Sequence, residues 1–357
     1  MAQLDDRGGY GQPLLRMTDV TNVDPNDVPE ETETNQVMSA RFYERASFKG
    51  HNAAVTSLAV SQDGNILVSG SRDKSALVWD LPKTNENWAV EQTRLLGHNH
   101  FVSGVSLSQD ASYLLSSSWD KTLRLWQLAN RTCKTKFLDH EKDVLAVQFS
   151  SDNRRIISCG RDNTVRIWNI LGKCVYTLGK FDSWVTSVAC APLADENQPF
   201  VFAAGFWDGS VKAWKVENDC KELYTIQQAH EGRCHSLSFT PDGQWLITGG
   251  SDRKVVMWSA ENGAKMLSFT ASAVINYVCA CPTRAWITAA TYEGIHVWDI
   301  SDKQQIDLVD IAFKPLGKRN AGRKPDCTTL AWADDGAILY AGYNDGVIKA
   351  WEVRSEQ

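Results

Sequence analysis

Along most of this chain apolar residues come in short runs, separated by clusters rich in Asp, Asn, Gly and Ser. Some runs alternate, as in Asp143–Phe149 (DVLAVQF), and others are continuously apolar, as in Val165–Trp168. Runs of this length between turn residues predict β-strands with one or both faces buried. No stretch approaches the ~18 apolar residues that a membrane-crossing helix needs. The pattern therefore predicts an all-β protein built from many short strands.

Tryptophans close seven of these runs: Trp79, Trp126, Trp168, Trp214, Trp258, Trp298 and Trp351, at intervals of 47, 42, 46, 44, 40 and 53 residues. Six residues before six of them stand Asp73, Asp120, Asp162, Asp208, Asp252 and Asp345; Trp298 has Tyr292 there, with Glu293 next. Twenty-eight residues before four of them stand His51, His98, His140 and His230. Ten residues before five of them comes a hydroxyl, from Ser69, Ser116, Ser158, Thr248 or Thr288. The intervals bracket the ~40–45 residues of a WD repeat, in which each unit forms one four-stranded blade. The offsets place the Asp in a tight turn between two strands and bring the His back over it. A buried Asp–His–Ser/Thr–Trp chain of hydrogen bonds would then satisfy each polar group.

The predicted fold is a seven-bladed WD-repeat β-propeller. Its last unit ends at Trp351 with too few residues after it for an outer strand, whereas Ala40–Phe48 (ARFYERASF) has strand character. The start of the domain is therefore expected to supply the outer strand of the last blade, which removes an exposed sheet edge. Residues 40–357 form the propeller in this reading, and residues 1–39 a flexible acidic extension containing Pro13, Pro25 and Pro29.

Composition refines this picture. The chain has 357 residues and a net charge of −6. Residues 1–40 hold eight acidic side chains against two basic ones, so the remainder is balanced and can carry a local basic face. The nine cysteines are never spaced as CxxC and mostly lie in apolar runs, which suggests reduced core thiols in a cytoplasmic protein. The Met1 end has no apolar signal segment. No HExxH, phosphate-binding glycine loop or metal-ligand cluster is present, so neither a cofactor nor a metal is expected. Ser, His and Asp do recur together, but one catalytic site would appear once, and this set repeats at positions that hold strands together. His51, His98, His140 and His230 and the six turn aspartates are accordingly read as structural.

Segments 95–110 (LLGHNHFVSGVSLSQD), 116–128 (SSSWDKTLRLWQL), 139–169, 183–192 (SWVTSVACAP) and 327–351 closely resemble the receptor for activated C kinase family. The likeness runs over roughly residues 45–354 and includes the long interval before the seventh unit. It implies a non-catalytic scaffold on the head of the small ribosomal subunit near the mRNA exit, contacting rRNA and ribosomal proteins and docking kinases and other signalling proteins. In that family an Arg-Asp-Lys turn of the first blade touches rRNA, and this chain has Arg72-Asp73-Lys74. With Asp73 held inside, Arg72 and Lys74 would flank a rigid turn and reach phosphates. Lys49, Arg94, Lys121 and Lys142 are further candidates for the same face. The basic loop with Lys314, Lys318, Arg319, Arg323 and Lys324 is another, although it has no Ser or Thr to phosphorylate.

Trp119, Trp184 and Trp207 are expected either to contact proteins or to line the central channel. The strand Asp143–Phe149 matches the family's kinase-docking segment, yet half of it must be buried in a blade. Two other functions fit the same fold. A G-protein β-subunit would need an N-terminal coiled-coil helix, which the prolines of residues 1–40 disfavour. A generic WD adaptor would lack the ribosomal contact.

Overall fold

In each repeat the first three strands are apolar enough to be covered on both sides, whereas the fourth alternates. The second strand of blade 3, Arg155–Gly160, is buried from Ile156 onward, and the fourth strand of blade 2, Thr132–Phe137, is mostly exposed. A meander with that gradient hides its inner strands between neighbours and turns its outer strand to water. Repeated seven times, it closes into a ring. The computed structural model describes residues 41–81, 91–193, 199–217, 219–309 and 325–354. Among them all regular structure is strand, in seven four-stranded antiparallel sheets. The chain is a seven-bladed propeller, as its sequence register predicts.

The core lies between blades rather than within them. Leu115, Leu123, Leu125 and Phe137 of blade 2 pack against Val144, Val147, Phe149, Ile156 and Trp168 of blade 3. Side chains at the start of the inner strands also tie blade to blade. The Thr56 hydroxyl donates to the Val102 carbonyl (2.7 Å), Ser103 to Val144 (2.7 Å) and Thr186 to Cys234 (2.5 Å). Across the ring closure Thr328 donates to Val55 (2.6 Å). In six blades the pairing of the first two strands shifts register near its start, as between Val55 and Ser57, while the pair Tyr277–Ala280 and Trp286–Ala290 of blade 6 runs straight. Such bulges re-aim the residues beside them.

The closing strand is Phe42–Lys49, paired antiparallel with Val347–Val353 from Phe42 opposite Val353 to Lys49 opposite Val347. Phe42 sits between Trp286 and Trp332, 6.2 Å from each ring, and Phe48 lies 5.8 Å from Trp79. This strand therefore joins blades 6, 7 and 1. All nine cysteines are free, five of them buried and Cys133 exposed.

Candidate functional site

Four blades carry the hydrogen-bonded chain in full. In blade 1 the Trp79 Nε1–H donates to Ser69 (2.9 Å), the Ser69 hydroxyl to His51 Nε2 (2.7 Å), and His51 Nδ1–H to Asp73 (2.9 Å). Blades 2, 3 and 5 repeat it through Trp126, Ser116, His98 and Asp120, through Trp168, Ser158, His140 and Asp162, and through Trp258, Thr248, His230 and Asp252. With the carboxylate ionised, one neutral imidazole tautomer satisfies every atom. Burial by itself would raise these carboxyls, but the imidazole, hydroxyl and backbone donors outweigh it. They hold Asp73 and Asp120 well below the usual carboxylate range and lower Asp162 as well. The hydroxyl residues Ser69, Ser116, Ser158 and Thr248 are fully buried and accept a Trp N–H, so none can reach a substrate as a nucleophile.

The other blades depart from the pattern. Asp208 accepts from the backbone and hydroxyl of Ser210, and Asp345 from the Val347 backbone, each capping its own turn without a histidine. Thr288 does not meet Trp298, the tryptophan ten residues on. Its hydroxyl donates to the Cys279 carbonyl and accepts from Trp332 Nε1 of blade 7 (3.1 Å each). Blade 6, without the Asp and the His, has no chain for Thr288 to complete.

The residue after the turn carboxylate lies in the left-handed region: Lys74 at φ 71°, Lys121 at 70°, Asn163 at 61° and Arg253 at 66°. Glycine, which adopts this conformation without cost, occupies it in blades 4 and 7 as Gly209 and Gly346. Arg72 and Lys74 are both exposed on either side of the fixed Asp73, and the Arg72 guanidinium lies 5.8 Å from the Phe101 ring at the channel mouth. Lys49, Lys121 and Lys142 are exposed as well. Arg94 differs from the expectation of a surface cation free for RNA. Its guanidinium binds Asp73 (3.1 Å), Ser75 (2.8 Å) and the Gly50 carbonyl, so it buttresses the blade 1 turn. Lys314, Lys318, Arg319, Arg323 and Lys324 lie outside the described residues.

On this same face a second set of residues converges. In six blades the residue before the turn position donates its backbone N–H to the residue just ahead of the inner strand. The pairs are Arg72 with Ala54, Trp119 with Phe101, Arg161 with Asp143, Trp207 with Trp184, Ser251 with Arg233 and Asn344 with Asp326. From these pairs Arg72, Phe101, Trp119 and Arg233 line a central channel of about 910 Å³, and Arg161, Trp184 and Trp207 join them at its mouth through ring contacts. Trp119 lines the channel, stacked on His100 at 5.6 Å; Trp184 is half-buried; Trp207 is 45% exposed. Of the three rings, Trp119 lies in the channel lining and Trp207 is presented outward. Arg161, Arg233 and His235 also stand at this mouth, and sequence reasoning passed over them. Their signal was positional: they sit beside the same turn and loop positions as the tryptophans, and they differ in residue type from blade to blade. The strand Val144–Phe149 is innermost in blade 3, with Val144, Val147 and Phe149 buried, so it cannot peel away as a docking peptide.

Comparison with known proteins agrees with this architecture. The family model "WD domain, G-beta repeat" matches residues 42–80, 90–127, 131–169, 172–215, 220–259 and 314–352, leaving out blade 6, the one with Tyr292 in place of the turn aspartate. The chain is 39% identical to the "Small ribosomal subunit protein RACK1" of Neurospora crassa, covering 89% of this chain and 99% of the relative. It is 38% identical to the "MST50-interacting protein 11" of Pyricularia oryzae, over the same shares. It is 39% identical to the "Small ribosomal subunit protein RACK1y" of Oryza sativa subsp. japonica, over 85% and 94%.

Proposed function

The chain belongs to the receptor for activated C kinase family of WD-repeat scaffolds, and on that premise we propose that it rides in the cytoplasm on the head of the small ribosomal subunit. There it contacts rRNA and ribosomal proteins near the mRNA exit and docks kinases and other signalling proteins. The chemistry is non-catalytic: rigid blades present side chains, and partners read them. The observation that carries this reading is the blade 1 turn. Asp73 is fixed by His51, Asn52, Ser75 and Arg94, and Lys74 keeps a left-handed conformation that glycine would adopt with less strain. A lysine held there at a conformational cost supports a role for its charge. Arg72 and Lys74 are the phosphate anchors, with Lys49, Lys121 and Lys142 as supporting cations. The loop containing Lys314, Lys318, Arg319, Arg323 and Lys324 is the next candidate on the RNA side, and Trp119, Trp184 and Trp207 belong to the protein-docking side. Residues 40–357 are the propeller domain, and residues 1–39 an extension outside it.

The test is co-sedimentation with purified small subunits across a salt series. Wild-type binding should weaken with salt, and each lost phosphate contact should flatten the log–log dependence by about one unit. Arg72→Asp with Lys74→Glu should release the protein while its melt changes by about 0.5 kcal/mol or less, as surface substitutions do. Lys74→Gly should weaken binding without loss of stability, because it removes the charge and relieves the backbone. A double variant that still co-sediments with wild-type salt dependence would refute the assignment.

A further inference from the structure

Three rings and two guanidinium groups pack in a row around the channel mouth from blade 2 to blade 5. Arg161 lies 4.7 Å from the Trp119 ring and 4.8 Å from Trp184; Trp184 meets Trp207 edge-on at 4.9 Å; Arg233 lies 4.6 Å from Trp207. Arg161 is neutralised by Asp143 at 2.9 Å. Arg233 is not: among the described residues no carboxylate pairs with it, and its Nε is buried without an acceptor. The carboxylates of the adjoining turns are committed elsewhere, Asp208 to Ser210, Asp252 to His230 and Glu231 to Lys254. His235, on the strand that Arg233 leads into, binds Ser251 and supplies no negative charge.

A half-buried guanidinium has given up part of its hydration, and Arg161 nearby repels it. An incoming carboxylate would restore what is missing through two parallel charge-assisted hydrogen bonds. Beside it lies an apolar surface, the Trp207 ring, which is 45% exposed. We propose that the channel mouth at blades 4 and 5 docks an acidic peptide segment of a partner protein, with an Asp or Glu carboxylate on Arg233 and a neighbouring apolar side chain against Trp207. This rests on the protein-docking part of the function above and not on its ribosomal part. The stacking argues against RNA as the occupant. Trp119 and Trp184 already carry Arg161, and Arg233 lies over Trp207, so the mouth offers no run of open aromatic faces for successive bases, while the exposed part of Trp207 suffices for one side chain.

The experiment immobilises the full-length protein and applies two pools of octapeptides with identical random flanks, one with Glu-Glu at its centre and one with Gln-Gln. Wild type should retain the Glu pool about tenfold or more over the Gln pool. Arg233→Gln should abolish that preference, and Trp207→Ala should lower retention of the Glu pool. Arg72→Asp with Lys74→Glu, which tests the ribosomal contact, should leave it intact. Circular-dichroism melts accompany each variant. Should Arg233→Gln fail to fold, Trp207→Glu on the exposed ring replaces it and must repel the Glu pool. Equal retention of the two pools, no retention of either, or a preference that survives these substitutions overturns the proposal. So does an oligouridylate that binds through Arg233 while the Glu pool does not.

Discussion

Asp162→Ala removes several hydrogen-bond contacts in one substitution. The carboxylate accepts from His140 Nδ1 (2.7 Å), the Thr164 hydroxyl (2.8 Å) and the backbones of Glu141 (3.2 Å) and Thr164 (3.3 Å). The Asp162 side chain is 3% exposed and that of His140 0%, so water cannot simply replace the lost acceptor. The Thr164 hydroxyl can rotate to another partner, and Glu141 lies at the surface. The imidazole N–H is the group left without an alternative, at about 1–3 kcal/mol for a buried unsatisfied donor. Asp345→Ala is the matched control. It occupies the same turn position in blade 7, but no histidine chain reaches it, and its backbone bond from Val347 (3.1 Å) is worth about 0.5–1.5 kcal/mol. At roughly 2 °C per kcal/mol for a domain of this size, Asp162→Ala should melt about 2–6 °C below wild type and Asp345→Ala about 1–3 °C below. Urea midpoints should rank in the same order, and Asp162→Asn, which keeps one acceptor oxygen, should fall between. If the two alanine variants are destabilised equally, the chain contributes nothing beyond an ordinary turn cap, and the structural reading of the histidines is wrong.

Acid should act through His235 before it reaches the carboxylates. Burial, with the charges of Arg233 and His230, pushes His235 down to about 4. The unfolded chain therefore binds a proton below about 6.5 that the folded one refuses, and stability falls as pH drops from about 6.5 to 4. Urea midpoints at pH 7.5 and pH 5 should show this loss, His235→Gln should reduce it, and an unchanged slope in that variant would refute the assignment. The depressed carboxyls of Asp73, Asp120 and Asp162 give stability that is present above about pH 4 and lost only as pH falls further. Deletion of residues 1–40 should leave the melt unchanged, whereas deletion through Lys49 removes Phe42 and Phe48 and should abolish the cooperative transition. A cooperative melt of the longer deletion would mean the closing strand is dispensable. Gly250→Ala would place a Cβ 2.5 Å from the His230 ring; it should cost about 1–3 kcal/mol, as overpacking does, and a neutral result would show that the loop holding His230 can shift.

The blade count, the turn aspartates, the four complete hydrogen-bonded chains and the closing strand were all legible in the sequence, because each follows from a spacing within one repeat or from a missing outer strand. The register of Trp, Asp, His and hydroxyl is local geometry, repeated under the same steric rules in each blade. Strand character over Ala40–Phe48 starts two residues before the pairing does, because composition does not mark where pairing with Val353 begins. What the sequence could not decide depends on which side chains far apart in the chain meet. Arg161 is held between Trp119 and Trp184, Thr288 serves Trp332 forty-four residues away rather than its own Trp298, and Arg94 is drawn inward to Asp73. A cation in a surface loop reads the same in sequence whether it faces a carboxylate, a ring or water. Arg161 finds its carboxylate, Asp143, within its own blade, but only closure of the ring, which sets each blade's turn beside the next blade's loop, stacks Arg161 and Arg233 on tryptophans of other blades and leaves Arg233 without an anion among the described residues.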